Sequence, residues 1–343
     1  MADFKKRQVE RRRGRSDYLD PKKHYVRLNG WLPVFERYRK LTSNRVRYLT
    51  LCAKEAIDVR YFAQKGVLVR NEERNEYPFL TFVESDEEDY AIIAETLGRT
   101  MLGVHAKLED VLLNDTHDQH RDLLESFPYD IINLDFCGEI MPKKEHPYSE
   151  TVRTIEAIVD AQKRADAIRP WNLFVTFRTH RVQHSEEAND QLREIIEANL
   201  ADAAAVSAYT PRPAPGDLMQ SNYPEFLRLG IAKYLARTAE THGYEMTLDS
   251  TWRYGRHKGA YHIVKLVADF QPLTAPTALR NPAREREAYS RAVLRLFTSA
   301  ARDVEEALQE AGAEAAIRED LTPVMDELEA LAVVTAPGGD QKD

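Results

Sequence analysis

Between residues 46 and about 270, short apolar runs alternate with amphipathic stretches, the pattern of strands buried on both faces and joined by helices. Residues 46–51, 80–84, 104–106, 130–135 and 172–177 read as five strands. Helices are expected from about Glu55 to Gly66, through Tyr90, Ile93 and Leu97 to Gly98, and along the face formed by Val152, Ile155, Val159 and Gln162. Ser185 suits the N-cap of a helix bearing Leu192, Ile195, Ile196 and Leu200. Pro211, Pro213, Pro215 and Gly216 then mark a loop, and Pro224 fits the first turn of a helix that ends before Gly243. Residues 244–252 and 261–270, joined by a long basic turn, read as an antiparallel hairpin. Asn281-Pro282 opens a helix whose stripe runs from Tyr289 through Phe297 to Leu308, ending near Gly312. A shorter helix is expected over 325–333, with 336–343 frayed.

This order predicts an α/β protein: a doubly wound, mostly parallel sheet closed by a C-terminal antiparallel hairpin. It divides the chain into a basic N-terminal arm over 1–45, a Rossmann-like domain over 46–275 and a C-terminal helical extension over 276–343. In such sheets the first and fourth strands are neighbours, so Cys52 and Cys137 are expected at the same rim.

Composition narrows the picture. With 343 residues, 43% hydrophobic and 30% charged, the chain has room for one large domain plus appendages. No apolar run nears the ~20 residues of a membrane span, and the start is charged where a signal peptide would be apolar, which points to the cytoplasm. Two cysteines exclude a zinc ribbon or a disulfide framework. His180 and His184 have helical spacing but lack the Glu of H-E-x-x-H, and no metal site is expected.

Charge adds a partner. The net charge of -8 hides an asymmetry, because residues 1–45 carry 14 Lys and Arg against 5 Asp and Glu, a net of +9. Lys5, Lys6, Arg7, Arg11, Arg12, Arg13 and Arg15 lead into cations interleaved with Tyr18, Tyr25, Trp31, Phe35 and Tyr38. Arg256 and Lys258 add charge on the hairpin turn. Cations for phosphates and rings for stacking point to nucleic acid; the same arm could instead fold onto the acidic body of its own or a neighbouring subunit. The C-terminal helices are candidates for a protein partner or a homo-oligomer contact.

Ligands of open α/β sheets bind where strands end, and here those ends are polar. The first strand leads into Cys52-Ala53-Lys54-Glu55, the second ends in Glu84, the third runs on to Glu109-Asp110 and the fourth reads Asn133-Leu134-Asp135-Phe136-Cys137-Gly138. Over about residues 46–272 the sequence resembles the class I S-adenosylmethionine-dependent methyltransferases. That resemblance implies S-adenosylmethionine as cofactor, with Glu84 taking the ribose hydroxyls, Glu109 or Asp110 near the adenine amino group and Cys52, Ala53 and Glu55 under the methionine part. The family's first loop is rich in glycine, and this one has none. The fourth-strand motif is similar to the Asp-Pro-Phe/Tyr-Gly of RNA guanine methyltransferases, with Asp135 and Gly138 matching and Phe136 and Cys137 departing. The resemblance implies that Asp135 accepts a hydrogen bond from a target amine and Phe136 stacks on the base, with Asn133 of the same motif binding the cofactor. The function so implied is methylation of a base amino group on nucleic acid. The alternative is a methyltransferase-like module without turnover in a nucleic-acid-processing or defence complex. A nicotinamide-dependent dehydrogenase is poorly matched, because G-x-G-x-x-G is missing.

Overall fold

A computed structural model describes residues 20–140, 150–166, 168–179, 185–255, 263–273, 282–310 and 312–334. Its centre is an eight-stranded sheet. In chain order the strands are β1 (Tyr48–Leu51), β2 (Glu76–Glu84), β3 (Arg99–His105), β4 (Ile131–Glu139), β5 (Trp171–Arg178), β6 (Tyr244–Tyr254), β7 (Ile263–Pro272) and the two-residue β8 (Arg302–Asp303). Across the sheet they lie β3-β2-β1-β4-β5-β7-β6-β8. The first five are parallel, while β7 runs antiparallel to both β5 and β6. This is the doubly wound order with a terminal hairpin, the class I methyltransferase-like fold. The strand order reverses at β1 and β4, which pair directly with Thr50 opposite Asn133.

Alternation along the strands sorts side chains between two apolar layers. On one face Leu49, Ile132, Leu134, Leu173, Val175, Leu266 and Ala268 pack under α7 (Glu150–Ala165), α8 (Glu186–Glu197), α11 (Tyr223–Thr241) and α12 (Pro282–Thr298). On the other, Tyr48, Phe82, Ile131, Phe174, Val267 and Trp252 pack under α1 (Pro21–Val26), α2 (Leu32–Leu41) and α3 (Ile57–Gln64). Burying such a layer is the dominant favourable term of folding.

The chain enters this body earlier than its charge suggests. Asp20 caps α1 by accepting from the Lys22 backbone N–H at 2.9 Å, and a π-helical turn over Arg27–Trp31 links α1 to α2. Trp31, Phe35 and Tyr38 are buried, Trp31 stacked on Phe174 with ring centroids 5.2 Å apart and Phe35 on Phe62 at 4.0 Å. Gly30 permits this approach, since a Cβ there would sit 2.7 Å from Trp252 Nε1. The aromatics between residues 25 and 38 therefore serve the core; their spacing fits an amphipathic helix as well as a stacking surface.

The C-terminal extension also departs from expectation. The stripe from Tyr289 to Leu308 is broken: α12 stops at Thr298, Arg302–Asp303 pairs in parallel with Trp252 and Arg253, and Asp303 caps α13 (Val304–Leu308). The Ser299 carbonyl accepts from Arg212 (3.0 Å) and Arg228 (3.2 Å), which end the helix from outside the segment. The last helix, α14 (Ala313–Val334), is longer than 325–333 and contains Pro323. It docks on α1 and α3 of the same chain. Asp320 accepts from Tyr61 (2.8 Å) and Lys65 and lies 3.0 Å from His24 Nε2, while Glu327 accepts from Arg60 (2.6 Å) and Arg70 (3.1 Å). None of the helices among the described residues is long and apolar enough to cross a membrane.

This docking should depend on pH. His24 is fully buried, and burial first, then the Arg27 charge, lowers its pKa from 6.5 to about 4. Between those values the unfolded chain binds a proton that the folded one excludes, so stability falls as pH drops from 6.5 towards 4, by roughly 2–4 kcal/mol. The thermal midpoint of the native chain should fall between pH 7 and pH 5 more than that of His24→Asn. Equal falls would show that His24 is not the group that titrates.

Candidate active site at the carboxyl rim of the sheet

The carboxyl ends of β1, β2, β4 and β5 open into a cavity of about 350 Å³. Cys52 and Ala53 come from the turn after β1, Glu84 from the end of β2, Glu109 from α5 (Leu108–Leu113) after β3, and Asp135 and Phe136 from β4. Six of the residues picked out in the sequence thus line one cavity. Three do not line it. Asn133 is buried below, its Nδ2 3.3 Å from Thr50 Oγ1 and 3.4 Å from Asp58 Oδ2. Asp110 points to solvent on the next face of its helix, and Glu55 lends its backbone carbonyl to Arg60 Nε at 3.0 Å.

The first loop turns without glycine. Ala56 takes the left-handed conformation, φ 47°, at the start of α3, which costs a residue with a Cβ about 1–2 kcal/mol. Lys54 reaches outward to Asp89, 3.3 Å away. Cys52 is buried, its thiol pushed well above its ordinary pKa by burial and then by Asp58, so it is an uncharged wall group. β1 and β4 pair as neighbours, as the placement of the two cysteines requires; the side chain of Cys137 lies outside the described residues.

Glu84 is partly engaged. Its Oε1 accepts from the backbone N–H groups of Ser85 (2.6 Å) and Asp86 (2.8 Å), and Asp86 in turn caps α4 (Glu87–Leu97). The other carboxylate oxygen makes no hydrogen bond to a described residue and is the one left for a ligand.

Asp135 has a partner that the sequence reading missed. The register sets Asp135 of β4 beside Thr176 of β5, and Thr176 beside Lys265 of β7, in one row on the face covered by α1 and α2. Lys265 is 2% exposed; its Nζ lies 3.7 Å from Asp135 Oδ2 and 4.5 Å from the Trp31 ring centroid. Burial lowers the Lys265 pKa to about 8 against the opposing pull of Asp135. Burial alone would raise Asp135, but Lys265, then Lys23, hold it below its ordinary value. At neutral pH the pair is therefore ionised, with the carboxylate facing the cavity, one-third exposed. A lone lysine within Ile263-Val264-Lys265-Leu266-Val267, a run otherwise apolar on both faces, was the available signal.

The cavity is also lined by Lys23, Thr176, Phe177, Arg178, Tyr254 and Ile263. Among the described residues no group of three or more His, Cys, Asp or Glu is placed to hold a metal ion. His180, His184, Arg256, Lys258 and the cations from Lys5 to Arg15 lie outside the described residues.

No curated protein matches the sequence. Among solved structures, the chain is similar to the N-methyltransferase NodS from Bradyrhizobium japonicum WM9 at 12% identity and TM-score 0.30, covering 69% of this chain and 97% of that one. It is similar to EvdMO1 at 12% identity and TM-score 0.30, covering 74% of this chain but only 41% of that one. The family model described as PP_RS20740-like matches residues 19–319, most of the chain, including every strand of the sheet. The chain belongs to the PP_RS20740-like family.

Proposed function

We propose that the chain is a methyltransferase that uses S-adenosylmethionine and acts on an amino group, with nucleic acid as the substrate. The reading is carried by one juxtaposition: Glu84 and Glu109 line the same cavity as Asp135 and Phe136. A volume of about 350 Å³ falls in the range of small-molecule sites. Carboxylates suit this cofactor because they offer only acceptors, to ribose hydroxyls, an amino group and a positive sulfonium. Glu84 would hold the ribose, Glu109 would lie towards the adenine, and Cys52 and Ala53 would support the methionine part. When bound, the cofactor supplies an electrophilic methyl group.

The protein's own work falls to Asp135 and Phe136. The ionised Asp135 carboxylate accepts a hydrogen bond from the incoming amine, orienting its lone pair, and stabilises the positive charge that develops on the nitrogen until its proton leaves to the carboxylate or to solvent. Phe136 offers an apolar surface beside it. Nucleic acid as substrate rests on the net charge of +9 over residues 1–45.

Calorimetry with S-adenosylmethionine tests the reading. The native chain should bind it, and Glu84→Ala should weaken binding by about tenfold to a hundredfold, the loss of hydrogen bonds to one charged oxygen at about 1.5–3 kcal/mol. Absence of binding at millimolar cofactor would overturn the reading and leave a methyltransferase-like module without turnover.

A further inference from the structure

The glycine-free loop at the cavity is held by groups outside it. Ala56 has φ 47° and ψ 39°, a left-handed conformation that a residue with a Cβ keeps only where its surroundings fix it. Part of that fixing is local: the Ala56 N–H donates to the Ala53 carbonyl at 2.8 Å, and the Ala56 carbonyl accepts from the Arg60 N–H at 3.0 Å. The rest comes from a side chain. Arg60, in the first turn of α3 and 1% exposed, leans back towards the helix start, where its Nε donates to the Glu55 carbonyl at 3.0 Å. That carbonyl belongs to the peptide joining Glu55 to Ala56, so the bond fixes the turn at its strained residue.

The same guanidinium is held from its other side by the C-terminal helix. Arg60 Nη1 donates to Glu327 Oε1 at 2.6 Å, while Arg70 Nη1 at 3.1 Å and Gln64 Nε2 at 3.2 Å keep the Glu327 carboxylate in place. A charge-assisted bond to a planar fork sets the plane's direction as well as its position, and here that direction leaves Nε aimed at Glu55. Two turns earlier on α14, Asp320 ties the helix to Tyr61, Lys65 and His24. Those contacts hold α14 without touching the loop. The buried apolar side chains of α14 among the described residues are Ile317, Leu321 and Val324, a short seam for a helix of 22 residues, so its polar ties carry weight in its docking.

We propose that Arg60 and Glu327 are positioning residues: the relay from Glu327 through the Arg60 guanidinium to the Glu55 carbonyl sets the loop that presents Cys52 and Ala53 to the cavity, so that seating of α14 and occupation of the cavity by S-adenosylmethionine stabilise each other. The coupling is reciprocal by thermodynamic necessity. Whatever the helix adds to cofactor affinity, the cofactor adds to the hold on the helix. The relay takes the place of the glycines that this loop lacks, because a turn that backbone freedom does not supply has to be held by side chains. The cofactor in this statement rests on the methyltransferase reading; the relay itself does not.

The test follows amide hydrogen exchange of the full chain with and without S-adenosylmethionine, and cofactor binding by calorimetry. Arg60→Lys keeps a cation for Glu327 but loses the second donor, since a single ammonium replaces the fork. It should speed exchange over residues 53–57 about tenfold and weaken cofactor binding about tenfold, while α14 exchanges at the native rate. Lys65→Gln removes one tie of Asp320 and should speed exchange in α14 alone. Glu327→Gln should loosen α14 and the loop together. Saturating S-adenosylmethionine should slow exchange in α14 of the native chain and leave it unchanged in Arg60→Lys. A loop at the native rate in Arg60→Lys or in Glu327→Gln, or one loosened equally by Lys65→Gln, overturns the relay and leaves Arg60 an ordinary anchor of the helix. Cofactor binding with no slowing in native α14 overturns the coupling. A loop that loosens as expected in a chain that does not bind S-adenosylmethionine keeps the relay and removes the methyltransferase reading; cofactor binding with an indifferent loop does the reverse.

Discussion

Asp135→Asn should lower the rate of methyl transfer by at least about a hundredfold while leaving affinity for S-adenosylmethionine nearly unchanged, because positioned acid–base groups are worth about 10²–10⁴. The amide keeps the shape of the carboxylate but presents a neutral carbonyl and an N–H₂ donor to an amine that needs an acceptor. The same change strips Lys265 of the carboxylate 3.7 Å away, and Lys265 is 2% exposed. A buried ammonium without its partner loses its proton or destabilises the fold. Asp135→Asn should therefore also lower the thermal midpoint, and adding Lys265→Met should restore the midpoint without restoring activity. Lys265→Met alone leaves burial to raise the Asp135 pKa, so the acid limb of the pH–rate profile should move to higher pH. Retention of full activity in Asp135→Asn would remove Asp135 from the chemistry. A loss of cofactor affinity matching the loss of rate would reassign it to cofactor binding.

Glu225→Gln should be among the most destabilising single changes in the chain, at about 3–5 kcal/mol in urea unfolding, for a reason unrelated to the active site. Glu225, near the start of α11, accepts from Arg228 Nε at 2.7 Å and Nη2 at 2.8 Å and from Arg212 Nε at 3.1 Å. Arg228 is 1% exposed, and both arginines also donate to the Ser299 carbonyl where α12 ends. Burial tends to raise the Glu225 pKa, but Arg228, followed by Arg212, holds it below the ordinary value. Its contribution is present above the unfolded carboxylate range and is lost as pH falls through the lowered folded value. Removing the carboxylate leaves the buried Arg228 guanidinium without its counter-charge, whereas Glu225→Leu combined with Arg228→Met removes that pair, leaves Arg212 its bonds to the Phe297 and Ser299 carbonyls, and should recover much of the loss. Equal destabilisation by the single and double changes would mean that packing, not charge, holds this junction.

Strand existence was legible in the sequence because a strand buried on both faces reads as a continuous apolar run, and the run 172–177 falls inside β5. Strand length was less so: β3 begins at Arg99 rather than 104, since its first residues are exposed or half-exposed and Met101-Leu102, cut off by Gly103, is too short an apolar run to mark a strand. The break between α12 and α13 was invisible, because apolar spacing persists through it and the residues that end the helix, Arg212 and Arg228, are some 70 or more positions away in the chain. Charge composition over residues 1–45 misled on the role of the aromatics from Tyr25 to Tyr38. A net of +9 describes the segment, not which faces of its helices are buried.

By itself the sequence determined the doubly wound order and the row of polar strand ends. Both follow from local alternation and from the rule that parallel strands deliver their carboxyl ends to one rim. It could name Cys52, Glu84 and Asp135 because each directly follows or ends an apolar run, and Glu109 because it lies three residues past the third. Only the tertiary structure separated Glu109 from Asp110, since one helical step turns the second side chain to solvent. Only the register across β4, β5 and β7 set Lys265 behind Asp135, 130 positions apart. Only the docking of α1 and the hairpin brought Lys23 and Tyr254 to the same cavity. Hydrogen bonds act only at contact distance and charge interactions weaken with separation and screening, so both depend on which distant segments are packed together, and that is settled by the whole core rather than by any local pattern.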